Sequence, residues 1–120
     1  RLAHGANGPG EEQSDIWLTD VDGDVTQRLT SDRRDANDPA WRPDGRALAI
    51  SMLDSATWKG VAVLSVDGGP ARRFPLAPWF EAPGDWTRDG RTLLVTRIDT
   101  SGTTAVWALP ADGGAGRRVF

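Results

Sequence analysis

The stretch WRPDGRALAIS, residues 41–51, returns as WTRDGRTLLVT at residues 86–96, a spacing of 45. Other markers keep the same interval on either side. Asp22-Gly23, Asp67-Gly68 and Asp112-Gly113 form one series, and Ile16, Val61 and Val106 a second. Arg28-Leu29, Arg73-Phe74 and Arg118-Val119 form a third. Unrelated residue types held in one register mark an internal repeat of a supersecondary unit. Helix signals are missing between the markers. Apolar residues show no sustained three-to-four-residue period, and 14 glycines and 8 prolines interrupt the chain every few positions. Short apolar and β-branched runs between turn signals remain. The chain reads as all-β.

The repeat also decides how TDVDGDVTQ, residues 19–27, is read. Asp20, Asp22 and Asp24 alternate as carboxylates do in a calcium loop. In the later copies these positions hold Ser65, Asp67 and Gly69, then Pro110, Asp112 and Gly114, so only the Asp-Gly pair persists. No glutamate stands at the distal position that a calcium loop fills with a bidentate ligand. Asp-Gly is instead the signature of a two-residue hairpin in which both central residues take positive φ. Asp22-Gly23, Asp44-Gly45, Asp67-Gly68, Asp89-Gly90 and Asp112-Gly113 are therefore read as structural turns, with no metal.

The middle copy divides into strands at 39–42, 46–52, 60–66 and 71–76. Four antiparallel strands in a repeat of this length form a β-propeller blade. The runs ALAI, VAVLSV and TLLVT are nearly continuous in apolar character, as sheets covered on both faces require. Residues 1–30 are read as a partial blade and 31–76 and 77–120 as full blades, about two and two-thirds blades in all. Such an arc leaves two apolar blade faces bare, beyond what a soluble monomer exposes. Either the remaining blades follow in the same polypeptide, or a second copy completes the ring.

PAWRPDGRALAIS, preceded by DIWLTDVDG and RLT, resembles the TolB-like, WD-repeat-related propeller repeat. Its usual form is P-x-W-S-P-D-G-x-x-I-A-F, then I-W-x-x-D-x-D-G, then R-L-T. Arg42 stands at the usual serine, Thr87-Arg88 replace Ser-Pro in the next copy, and Gly84 replaces its proline. The resemblance covers residues 14–120 and implies a propeller that meets a protein or peptide partner, in a periplasmic or extracellular setting. Fold alone does not fix function. Three readings stay open: a TolB-like interaction scaffold, the substrate-gating propeller of a prolyl-oligopeptidase-type serine peptidase, and the sensor propeller of a bacterial regulator.

Composition narrows the chemistry. A net charge of −3 with no basic stripe makes nucleic acid and anionic membrane poor partners. No apolar run is long enough to span a bilayer. Without cysteine there is no thiolate nucleophile, thiolate metal site or disulfide. His4 is the only histidine, and neither a G-x-S-x-G elbow nor a phosphate-cradling loop occurs. No catalytic residue, cofactor or metal is expected in this segment.

Binding remains. The longer connections, expected at 5–14, 31–38, 52–59, 77–84 and 97–104, lie on the face opposite the Asp-Gly turns, where recognition residues concentrate. Trp17 and Trp107 share one register and Trp41 and Trp86 another, so these four are read as inter-blade packing. Trp58 and Trp79 have no counterparts, because Thr103 and Arg34 stand at their equivalents. With Phe80 and Glu81, and with Arg33 and Arg34 as a polar rim, they are candidate partner-binding residues. Packing at the blade ends is the other reading of these rings.

Overall fold

The computed structural model describes residues 1–7, 14–20, 22, 25–30, 35–55, 58–68, 72–74 and 80–120. These residues form eleven strands and no helix. β1 (Leu2–Asn7), β2 (Ser14–Asp20) and β3 (Val25–Arg28) make a three-stranded antiparallel sheet. β4 (Asp35–Trp41), β5 (Ala47–Ser55), β6 (Trp58–Ser65) and β7 (Arg72–Arg73) make the second, with four strands in chain order. β8 (Phe80–Trp86), β9 (Thr92–Ile98), β10 (Thr104–Pro110) and β11 (Arg117–Arg118) make the third, in the same order. The three sheets are successive propeller blades.

The strands run further into the connections than the sequence suggests. The middle blade's first strand spans Asp35–Trp41 rather than 39–42, and Phe80–Trp86 is strand where a loop at 77–84 is expected. Trp58 opens β6, and β5 continues to Ser55, inside the expected 52–59 loop. In β4 and β8 proline is the cause. It cannot donate to a ladder, so a strand containing it reads as broken. Here the ladder absorbs it in a bulge. The β4–β5 register shifts between Asn37 and Ala40, and the β8–β9 register shifts between Pro83 and Asp85. Asp38, in the first bulge, takes a φ of 55°, and its Oδ2 accepts a bond from Ser51 Oγ at 2.9 Å.

The turns also differ in type from the two-residue hairpin. Gly45, Gly68, Gly90 and Gly113 take positive φ, but among the described residues Asp38 is the only non-glycine that does. Gly45 N–H donates to the Arg42 carbonyl (2.9 Å) and Gly90 N–H to the Thr87 carbonyl (2.8 Å). Each turn is therefore centred one residue earlier, on Pro43-Asp44 or Arg88-Asp89, with glycine as the left-handed residue that follows. Asp44 Oδ1 accepts from Arg46 N–H and Asp89 Oδ1 from Arg91 N–H, both at 3.0 Å, which is what an aspartate contributes at that place.

Alternation along the strands sends neighbouring side chains to opposite cores. Leu48, Ile50, Met52, Ala62 and Leu64 join Ile16, Leu18 and Ala36 between the first and second sheets. Ala49 and Val61 join Phe74, Trp86, Leu93, Val95 and Leu109 between the second and third. The middle strands look uniformly apolar because each face has its own core: Leu48, Ala49 and Ile50 are all fully buried. In β9, which has a packed sheet on one face only, burial alternates, with Leu93 and Val95 buried and Leu94 half-buried.

Candidate functional site

Arg33, Arg34 and Trp79 lie outside the described residues, as does Gly23 of the turn series. Trp58 opens β6 and Phe80 opens β8. Glu81 follows on β8 and is not on a loop surface. It is 2% exposed and paired with Arg97, which donates through Nε to Oε1 at 2.8 Å. Burial raises the Glu81 pKa above its usual value, and the attraction of Arg97 offsets this only in part. The Arg97 guanidinium stacks over the Trp107 ring, 4.3 Å from its centroid. Glu81, Arg97 and Trp107 thus form one polar-aromatic layer on the face of the third sheet that meets the second.

The other repeat-register tryptophans are placed as follows. Trp86 is buried in the second core and its indole N–H donates to the Ala40 carbonyl across the blade boundary, at 3.1 Å. Trp41 packs against the first core. Trp17 is half-buried on the outward face of the first sheet, donates to the Ala6 carbonyl at 3.3 Å and carries Arg28 over its ring. Beside it, buried Asp15 receives Arg28 Nε (3.0 Å) and Thr30 Oγ1 (2.7 Å). His4 sits within β1 and bonds Thr19 Oγ1 at 3.2 Å.

Two depressions lie at the end of the arc that carries the Asp-Gly turns. The larger, about 420 Å³, is lined by Arg42, Pro43, Asp44, Arg88, Asp89 and Gly90, and so sits between corresponding turns of the second and third sheets. The smaller, about 300 Å³, is lined by Arg1, Trp41 and Gly45 on the other side of the Arg42–Gly45 turn. Arg42 holds Asp44 through Nε (3.0 and 3.1 Å) and Nη2 (2.8 Å). That pairing comes first, and the Arg46 amide second, in pulling the Asp44 pKa below its usual value. Asp89 is lowered in the same direction by the Arg91 amide and then by Thr87 Oγ1, which donates at 2.7 Å. Both carboxylates are therefore ionised at neutral pH. The arrangement suits ionic recognition. Among the described residues no three His, Cys, Asp or Glu side chains converge as a metal site would need, and no helix is long and apolar enough to cross a membrane.

Arg42 and Arg88 lie away from the long connections on which the candidate binding residues stand. In the sequence they are marked by replacing the serine and proline usual in the repeat.

Comparison with solved structures identifies the fold. A TolB-type protein from Agrobacterium tumefaciens superimposes over 99% of this chain with a TM-score of 0.84 at 20% identity, the match covering 44% of that protein. The fold is a segment of a TolB-like propeller. TolB from Acinetobacter baumannii matches 97% of the chain at a TM-score of 0.74 and 18% identity, over 28% of its own length. The tricorn protease matches 88% at 0.63 and 14% identity, over 9% of its length. In sequence, two tricorn protease homologues of Streptomyces coelicolor, numbered 1 and 2, are each 39% identical over 62 residues, or 51% of the chain. The chain spans only 5–6% of their length. No protein-family model matches.

Proposed function

We propose that the chain is a non-catalytic propeller scaffold, with blades at 1–30, 31–76 and 77–120, that binds a protein or peptide through its longer connections. The observation that carries this reading is the double-sided packing of the middle blade. Two separate cores fix its strands from both faces, so the connections at the blade ends are presented from a rigid frame. The likeness to TolB propellers supports the same use of the fold. Further blades in the same polypeptide, or a second copy, complete the ring.

Trp58 and Trp79 test the reading directly. The double alanine variant is expected to melt within a few degrees of the wild type while losing retention on an immobilised peptide library from which the wild type selects ligands. A large fall in melting temperature would return both rings to packing, and unchanged retention would remove the long-connection face from the proposal.

A second reading rests on the sequence match to the tricorn protease homologues. The segment then belongs to a propeller that screens polypeptides before a peptidase domain elsewhere in the protein. In a polypeptide containing both parts, removing the propeller should leave cleavage of short peptides intact and admit larger substrates. Unchanged size selectivity would reject this reading.

A further inference from the structure

We propose that Asp67-Gly68, in the turn between β6 and β7, is a modification site at which the aspartate cyclises onto the next backbone nitrogen and reopens as isoaspartate. The chemistry needs no partner and does not depend on the scaffold reading. The Gly68 nitrogen attacks Cγ of the protonated Asp67 carboxyl, so that an N–Cγ bond forms and the Cγ–OH bond breaks. The hydroxyl leaves as water with the amide proton, and a five-membered succinimide results. Water then opens the ring at one of its two N–C bonds. Opening at Cγ restores aspartate, whereas opening at the Asp67 main-chain carbonyl carbon leaves the chain linked through Cγ. Glycine has no side chain to hinder the attack.

Every Asp-Gly pair has this chemistry open to it, and among the four pairs with both residues described the fold restrains three. At Asp44 the carboxylate is held by Arg42 and the Arg46 amide. At Asp89 it is held by Thr87 Oγ1 and the Arg91 amide, and the Arg42 stem lies over Gly90. At Asp112 the Gly114 amide donates to Oδ1 at 2.9 Å, while Arg72 donates to the Asp112 carbonyl and lies over Gly113. Donors of this kind favour the ionised carboxylate, and cyclisation needs the protonated one. Asp67 is the exception. Among the described residues no donor reaches its carboxylate, although its own N–H donates to Ser65 Oγ at 3.2 Å. Nothing lies within 4 Å of where a Cβ would project from Gly68, so the ring has room to form.

The place in the fold gives the modification a consequence. Isoaspartate adds one atom to the main chain just before β7, a strand paired with β6 only through Ala62–Arg73 and Val63–Arg72. The residue that follows, Phe74, is buried in the second core, and its N–H donates to the Val61 carbonyl at 3.1 Å. A longer connection therefore acts on the seat of a core side chain.

Peptide mapping of the folded chain after storage in mildly acidic buffer tests the site, with electron-transfer fragmentation to separate aspartate from isoaspartate of equal mass. Isoaspartate at Asp67 should exceed that at Asp44, Asp89 or Asp112 about fivefold or more, the effect of about one hydrogen bond on a rate. In denaturing urea the four positions should react alike, because only the fold sets them apart. Arg42→Ala should raise isoaspartate at Asp44 about threefold, since part of its hold is removed. Should that variant fail to fold, Arg72→Ala at the Asp112 turn decides in its place. The isolated isoaspartyl form should melt several degrees below the parent. Equal yields at the four turns of the folded chain, or the same inequality in urea, would overturn the proposal. An unchanged yield at the relieved turn would overturn the role of the carboxylate's donors, and unchanged melting the link to Phe74.

Discussion

The two blade-to-blade interfaces occupy one register and solve it differently. Between the first and second sheets the layer is Ala36, Met52 and Ala62, all buried. Forty-five residues on, between the second and third, the same places hold Glu81, Arg97 and Trp107. Volume is compensated on the opposing face: Ile16 and Leu18 of the first sheet face the small alanines, whereas Ala49 and Val61 of the second make room for the Trp107 ring. Each interface is close-packed only with its own neighbour. A buried ion pair gives little net stability against a well-packed apolar layer, but it makes a wrong neighbour costly. Repeats of one architecture must pack in the right order, and the polar layer distinguishes one boundary from the other.

Breaking the polar layer should have the largest effect. Arg97→Ala leaves Glu81 buried without its partner and should cost about 3–5 kcal/mol near neutral pH, read as a shifted urea midpoint. Replacing Glu81 by Ala together with Arg97 by Met copies two of the three positions of the first interface and should recover much of that loss. If the double variant were as unstable as the single one, the pair would not be acting as a unit.

Packing comes next. Leu48→Ala, at a site with no exposed surface, should cost about 2–5 kcal/mol. Leu94→Ala, half-buried on the outward face of the third sheet, should cost about 1 kcal/mol. Equal losses would mean that the outward face is covered in solution.

A smaller contrast separates equivalent turns. Gly45→Ala strains the backbone at φ 72° but meets no atom within 4 Å, and should cost about 1–2 kcal/mol. Gly90→Ala, at φ 71°, must also displace the Arg42 stem, so its melting temperature should fall further.

The mildest effect is with pH. Glu81 has a folded-state pKa raised by burial, so protonation favours the folded state. Its contribution is fully present below the ordinary value of 4.5 and is lost as pH rises through the elevated one. Relative to Glu81→Gln, wild-type melting temperature should therefore decline as pH climbs from just below 4.5 toward neutrality; parallel profiles would contradict the sign.

Much of the architecture was legible because blade turns are local events. Asp-Gly at a fixed interval marks the hairpins whatever surrounds them, and apolar runs between them require sheets covered on both sides. The turn type was missed because Asp-Gly serves two hairpin geometries, and only the φ of Asp44 and Asp89 separates them. Glu81 was misplaced for a related reason. Pro83 two positions later suggested a loop, yet the ladder carries proline in a bulge and so draws Glu81 into a buried layer.

The residue order alone determined the repeat, the all-β class and the positions of the turns, since each depends on neighbours a few bonds apart. Tertiary structure decided which core each alternating side chain enters, that Glu81 meets Arg97, and that Arg42 and Arg88 share a cleft. Glu81 meets Arg97 through the register of two neighbouring strands, and the others are set by how the twisted sheets stack, which no local pattern encodes.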